Sequence, residues 1–487
     1  PVQYMGRTVQ RARPLDFLAV TDHAEYLGVP YEASSVDGMF SDTHWPALIA
    51  EVEGDTVGYL GLFTPSAFRL SEPPIEALRA DSVITSIWQR EVDAAERFYD
   101  PGRFTTLVGF EWSPMPNGAH LHRNVIFKGP EYPIRPFSAL DSAAPEDLWT
   151  YAEALRAQGI DSVLIPHNPN MSQGLMFAMS DSYGDPISAE YAERRLRNER
   201  LVEITQNKGT SETRPAFSPS DEFANFELLT LPAEADADPA GGYVRKALGR
   251  GLGIQAAIGV NPYKFGLIGS TDFHSGISSA EESNFPGGLG RSDDMQDPEA
   301  VLTQVNPVAR TKATIFSSSG LTAVWAHENT RESIFDALQR REAFATSGTR
   351  IRVRLFAGSG FPSDILDQDD WVTRAYQRGV AMGADIPRER QSREPLQLVV
   401  HAIKDPDRAN LDRIQVVKIW REGDRAREEI FDVAWSDARE PDGDGRLPSV
   451  GSSVDFGTAT YTNDIGAAQL GVVWTDADFD PDVAAIY

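Results

Sequence analysis

The chain has 487 residues, 41% of them apolar and 10% aromatic, which supports large cores and excludes a disordered tail or low-complexity scaffold. Lys and Arg number 45 against 72 Asp and Glu, a formal net charge of −27, so a polyphosphate backbone is repelled and general nucleic-acid binding is disfavoured. Cysteine is absent, which excludes disulfides, thiolate metal sites and Cys nucleophiles, and no run approaches the ~20 apolar residues of a membrane span.

At about 150 residues per domain the length predicts two to four domains. From residue 15 to about 350, short apolar runs alternate with helical stretches, the pattern of βα units around a parallel sheet. Residues 15–20 (LDFLAV), 104–110 (FTTLVGF), 162–165 (SVLI), 201–204 (LVEI) and 265–268 (FGLI) read as buried strands. Helices are expected over 74–99, 145–158 and 243–248. Another is expected from an Asn329 N-cap, with Glu332 closing a capping box, through Arg341 to a C-cap at Gly348. Gly/Pro/Ser-rich stretches at 28–72, 207–240 and 275–310 read as long covering loops. After residue 350 the pattern changes to period two in 351–356, 396–402, 414–420 and 470–474. This predicts an all-β antiparallel sandwich without helices, and so two domains, 1–350 and 351–487.

The chemistry lies where the strands of the first region end. LDFLAV runs into Thr21-Asp22-His23, FTTLVGF into Glu111-Trp112, SVLI into Pro166-His167-Asn168, and FGLI through Gly269-Ser270-Thr271 into Asp272-Phe273-His274. In a barrel of parallel strands such ends converge on one face. Asp272 and His274 leave their strand on the same side, and His120 and His122 form a second same-face pair before the apolar run 125–127. All donors are N or O, which suits zinc, manganese or iron. Any one of these residues alone is more often a core or surface side chain. His44 and His401 lack such context and read as structural, and His327 is left without a role.

The order TDH, strand-end Glu, His before an apolar strand, PHN and STDFH resembles the polymerase and histidinol phosphatase (PHP) superfamily, metal-dependent phosphoesterases on a distorted (β/α)7 barrel. Residues 15–28 (LDFLAVTDHAEYLG), 325–338 (WAHENTRESIFDAL) and 345–350 (ATSGTR) narrow the likeness to a bacterial branch of it described only as a domain of unknown function. The resemblance implies that His23, His274 and Asp272 hold one metal. Glu111 bridges to a second held by His122 and His167, and Asp22 orients His23 or the cluster. His122 is chosen over His120 on the stretch HRNVIF, with His120 able to share the role. The superfamily opens its barrel with a strand ending His-x-His, and nothing before Pro14 matches this. The resemblance therefore implies further ligands upstream of Pro1 and weak metal binding by these 487 residues alone; a cut C-terminus is expected as well, because the last strand stops soon before Tyr487. It also leads to an acidic residue where His327 stands.

The expected chemistry is hydrolysis, foremost of a phosphoester, by a hydroxide bridging two or three divalent ions, with Asp272 and Asp22 as the acid/base carboxylates. Arg123, Asn168 and Lys208 would hold a small anionic substrate. Ser211 and Glu212 share the turn that carries Lys208, Glu203 reads as pointing into the interior, and Arg350 as a surface charge. The alternatives are a lactone, amide or sulfate-ester hydrolase on the same cluster, and a degenerate, non-catalytic binding domain. An exported or periplasmic setting is preferred. Asp442-Gly443-Asp444-Gly445 has the opening of a calcium loop, but Ser453 stands at position 12 where an acidic ligand is required, so a polar turn is expected.

Overall fold

The computed structural model describes residues 2–4, 7–35, 37–52, 56–79, 81–229, 238–274, 276–277, 281, 305–306, 311–312, 316–317, 319–386, 394–443 and 445–487. Four strands form the first sheet: β1 (Phe17–Val20), β2 (Thr105–Trp112), β3 (Arg123–Phe127) and β4 (Ser162–Pro166). β1 is parallel to β2, but β3 runs antiparallel to both β2 and β4. All eight residues of β2 are buried, as expected of a strand covered on both faces. On the outer face, Phe110, Trp112, Val125 and Phe127 pack against Val83, Ile87 and Trp88 of the helix Asp81–Phe98 and Leu148 and Trp149 of the helix Pro145–Arg156. On the inner face Leu107, Ile126 and Ile165 join Leu201, Ile268 and Leu338.

β5 (Leu201–Gln206) and β6 (Gly266–Gly269) are parallel neighbours. β7 (Leu321–Val324) and β8 (Ala343–Thr346) form an antiparallel pair linked by the helix Arg331–Gln339. Two details depart from the sequence reading. Thr330, not Asn329, caps this helix by accepting from Ser333 N, while the Asn329 amide donates to Asp16 O. The helix also stops at Gln339: Arg341 takes φ 63°, and the alternating residues 343–346 pair as a strand, so Gly348 is no helix cap.

The expected (β/α)7 barrel is not what the chain forms. Among the described residues there are nine α-helices and several small open sheets, and no sheet closes on itself. A barrel needs one continuous ladder around the ring, whereas here β3 reverses direction inside the first sheet and β7–β8 pair with each other. The fold is mixed α/β. The stretch 28–72 is also not simply loop, since it carries the helices Val29–Ser34, Trp45–Glu51 and Thr56–Ala67. The helix expected over 243–248 continues to Ile258, its later half masked in the sequence by glycines at 249, 251 and 253. Nearly all of 275–310 lies outside the described residues. So does residue 444, beside which Asp442 accepts from Arg446 N at 2.9 Å.

After residue 350 come β9 (Arg352–Gly358), β10 (Gly379–Ala381), β11 (Gln397–Ile403), β12 (Arg413–Glu422), β13 (Arg425–Trp435), β14 (Gln469–Thr475) and β15 (Ala485–Ile486). They form antiparallel sheets in the orders β10-β9-β11-β14 and β13-β12-β15. Leu398, Val400, Ile414 and Val416 share one core. The expected all-β character is corrected by the helix Trp371–Arg378, which packs Ala375 beside Phe356 and Phe361. Trp371, Val372 and Ala375 recur at helical spacing on the face that meets this cluster, but eight residues make too short a run to stand out among strands. Gly249 brings the helix Val244–Ile258 against β13, where an added Cβ would lie 2.7 Å from Ala426. Among the described residues no helix is long and apolar enough to cross a membrane.

Candidate metal centre

Strand parity decides which side chains enter the inner face. On β2 it is Leu107, Gly109 and Glu111; beside them on β3 lie Asn124 and Ile126, preceded by His122. The β1–β2 ladder continues past Val20: Glu111 N donates to Asp22 O at 2.9 Å and Ala24 N to Glu111 O at 2.8 Å, which sets His23 beside Glu111. His167 follows β4 and its N–H donates to His122 O at 3.0 Å. Residues far apart in sequence are thus clamped together by main-chain ladders, a geometry a flexible loop would not hold.

Glu111, His122 and His167 form a buried group that could hold a metal ion. One donor atom from each lies within 4.8 Å of the others, and their exposures are only 5%, 4% and 2%. Glu111 Oε1 is 2.7 Å from His122 Nδ1 and 3.7 Å from His167 Nε2, while Oε2 is 3.4 Å from His23 Nδ1. Yet Glu111 Oε1 and His122 Nε2 complete no hydrogen bond. Buried polar atoms left this way cost about 1–3 kcal/mol each, and an open imidazole nitrogen in a group with a buried carboxylate is a donor set that a cation would satisfy.

The charge states agree. Burial would raise the Glu111 carboxyl, but the imidazoles of His23, His167 and His122 outweigh it and hold it well below its ordinary value. Burial pushes His122 down to about 4 against the pull of Glu111. It also drives His120 well below its usual range, helped by the charge of His122. At neutral pH the group therefore offers the Glu111 carboxylate and a neutral His122 lone pair, forms that bind metal. For His167 burial works downward, but Glu203 and Glu111 prevail and raise it.

Asp272 lies beside this group. Its Oδ1 is 3.2 Å from His167 Nε2, and its Oδ2 accepts from Gln206 Nε2 at 2.9 Å and from the Lys208 ammonium. It holds φ 54°, a left-handed conformation that non-glycine residues adopt at a cost of about 1–3 kcal/mol and that clusters at functional sites. Burial lowers the Lys208 ammonium to about 8. Gly209, at φ 93°, makes the return turn that aims this lysine; a Cβ there would meet Glu227 O at 2.7 Å. His274 sits at the exposed rim with Nδ1 2.9 Å from Asp272 O, its ring 6.5 Å from that of His23. A cavity of about 460 Å³ is lined by His23, Glu111, His167, Asp272 and His274.

Other expected residues stand elsewhere or do other work. Asp22 faces this cavity, but it hydrogen-bonds the Glu91 carboxyl, and burial together with that bond pushes Glu91 up to about 9. His23 is oriented by Ser113, whose Oγ lies 2.6 Å from its Nδ1, not by Asp22. Arg123 is corrected outright as a substrate contact. It points to the outer face, 1% exposed, bonded to Glu199 at 3.1 Å and to Leu121 O. His120 stacks on His122 at 4.5 Å with a buried, unpartnered Nδ1, outside the three-residue group. Asn168, at φ 34°, donates its N–H to Glu203 at 2.9 Å and leaves both side-chain amide atoms buried and unpartnered. Arg350 is tied by its guanidinium to Arg13 O and Pro14 O, and His44 and His401 lie against Trp45 and Trp371.

Four residues near the site escaped the sequence reading: Glu91, Ser113, Gln206, and Glu203 in more than a core sense. Period two along β5 does place Glu203 on the inner face with Leu201. Its partners belong to other strands and are invisible to any local pattern.

The whole chain, residues 1–487, matches a family model described as "Protein of unknown function (DUF3604)". No curated protein and no solved structure matches it.

Proposed function

We propose that this chain, which belongs to the DUF3604 family, is a metal-dependent hydrolase whose foremost substrate class is a small anionic phosphoester. The reading is carried by the buried Glu111–His122–His167 group with its unpartnered carboxylate oxygen and imidazole nitrogen. His23, Asp272 and His274, arranged around the same cavity, extend this donor set to two or three zinc, manganese or iron ions. The likeness of the strand-end motifs to the PHP superfamily points the same way. When bound, such ions supply Lewis acidity and acidify water near neutral pH.

The remaining work falls to the protein's own groups. Glu111 and Asp272 bring negative charge that the ions balance, so the net charge of −27 is no obstacle to an anionic substrate. Lys208, beside Asp272, neutralises a substrate oxygen. Asp272 takes the proton released by the attacking water and passes it to the leaving group as the ester bond breaks. The apolar inner face beneath keeps bulk water from competing.

The test is turnover by the full chain with Mn²⁺ or Zn²⁺ on a panel of phosphate, sulfate and carboxylate esters. Metal-dependent cleavage of the phosphate esters that falls at least about 100-fold in Glu111→Gln is expected. Cleavage confined to the other esters, or unaffected by chelation, overturns the reading.

A further inference from the structure

We infer that Glu203 is a positioning residue that fixes the ring of His167 so that Nε2 faces the metal group, an inference that rests on the metal reading above. Its carboxylate is fully buried and spans two strand ends. Oε2 lies 2.8 Å from His167 Nδ1 and accepts from Ser270 Oγ, and Oε1 accepts the Asn168 N–H at 2.9 Å. A carboxylate only accepts, so Nδ1 is the donor and carries the proton. In the neutral ring the lone pair is then on Nε2, the nitrogen that lies 3.2 Å from Asp272 Oδ1 and 3.7 Å from Glu111 Oε1.

Packing gives no reason for a carboxylate here. Glu203 shares the inner face of β5 with Leu201, a member of the apolar cluster with Ile165 and Ile268, so the apolar face alone does not call for a carboxylate, and its partners are the Asn168 N–H, Ser270 Oγ and His167 Nδ1. What the carboxylate adds is direction: it sets the ring torsion, selects the tautomer and raises the basicity of the donor nitrogen, as a carboxylate behind a metal-bound imidazole does. By taking the Asn168 N–H it also holds the left-handed turn that follows His167.

The experiment uses the full chain. Co²⁺ titration followed by its visible absorption is expected to show affinity 10–100-fold weaker in Glu203→Gln, with an altered spectrum and an unchanged far-UV circular dichroism. Wild-type affinity and spectrum in that variant overturn the inference. Should Glu203→Gln not fold, ¹⁵N-histidine labelling of the metal-free wild-type chain decides it at a pH where the ring is neutral, with His167→Gln identifying the signal. A proton on Nδ1 is expected, and a proton on Nε2 overturns it. If the wild-type chain takes up no Co²⁺, the metal reading falls, and the labelled spectrum still decides whether Glu203 sets the ring.

Discussion

Glu111 Oε1 lies 2.7 Å from His122 Nδ1, both side chains almost wholly buried, and neither that oxygen nor the far nitrogen of the ring completes a hydrogen bond. One strand and the start of its antiparallel neighbour thus hold a donor pair with its valence open. Replacing Glu111 by Gln keeps the shape and removes the charge. Without metal the variant is expected to unfold within a few degrees of wild type. At a Mn²⁺ or Zn²⁺ concentration 100 times Kd, the wild type should gain about 2.7 kcal/mol and the variant far less. Differential scanning calorimetry with and without metal checks this, and equal shifts in both proteins would remove Glu111 from the site.

Acid should weaken the metal-free protein through His122. Its folded value of about 4 lies below its ordinary 6.5, so the folded state binds fewer protons between them. That contribution is complete above pH 6.5 and is lost as pH falls through 4. The difference corresponds to about 3 kcal/mol. Denaturant titrations of wild type and His122→Asn between pH 7 and 4 should converge on acidification.

Glu91 works in the opposite direction. Its carboxyl, raised to about 9 against Asp22, is protonated when folded and ionised when unfolded above pH 4.5. Its stabilisation is therefore complete below 4.5 and declines as pH rises towards 9. Glu91→Gln, neutral at every pH, is expected to be more stable than wild type at pH 8 by about 1–3 kcal/mol, with the gap shrinking at pH 5. A gap independent of pH would contradict the protonated pair.

Arg123 belongs to the framework. Arg123→Ala leaves Glu199 buried with Arg195 and the Trp149 indole N–H and should cost about 3–5 kcal/mol. Metal affinity of the protein that remains folded should stay within about twofold of wild type. A selective loss of metal or substrate binding, with the unfolding midpoint preserved, would return Arg123 to the site.

Strand-end residues were legible because alternation and apolar runs are local. LDFLAV, FTTLVGF, SVLI and FGLI all carry strands that deliver His23, Glu111, His167 and Asp272 to one cavity. Arg123 was misread although the same alternation contained the answer: a residue after His122 must face the other way. Asp22 could not be read so, since its partner Glu91 lies on a helix some seventy positions on, and only packing brings the two carboxyls together. The barrel failed for a related reason, because strand direction is set by how connections pack and pair, which the apolar runs do not encode.

By itself the sequence determined the donor chemistry, oxygen and nitrogen without sulfur, and which residues stand at strand ends, since composition and period two are properties of the chain alone. The tertiary structure decided which donors meet, that the described sheets stay open with β3 reversed, and that the Glu203 carboxylate stands behind the His167 imidazole. Those outcomes depend on hydrogen bonds and burial between segments tens to hundreds of residues apart, and such contacts exist only once the chain has folded.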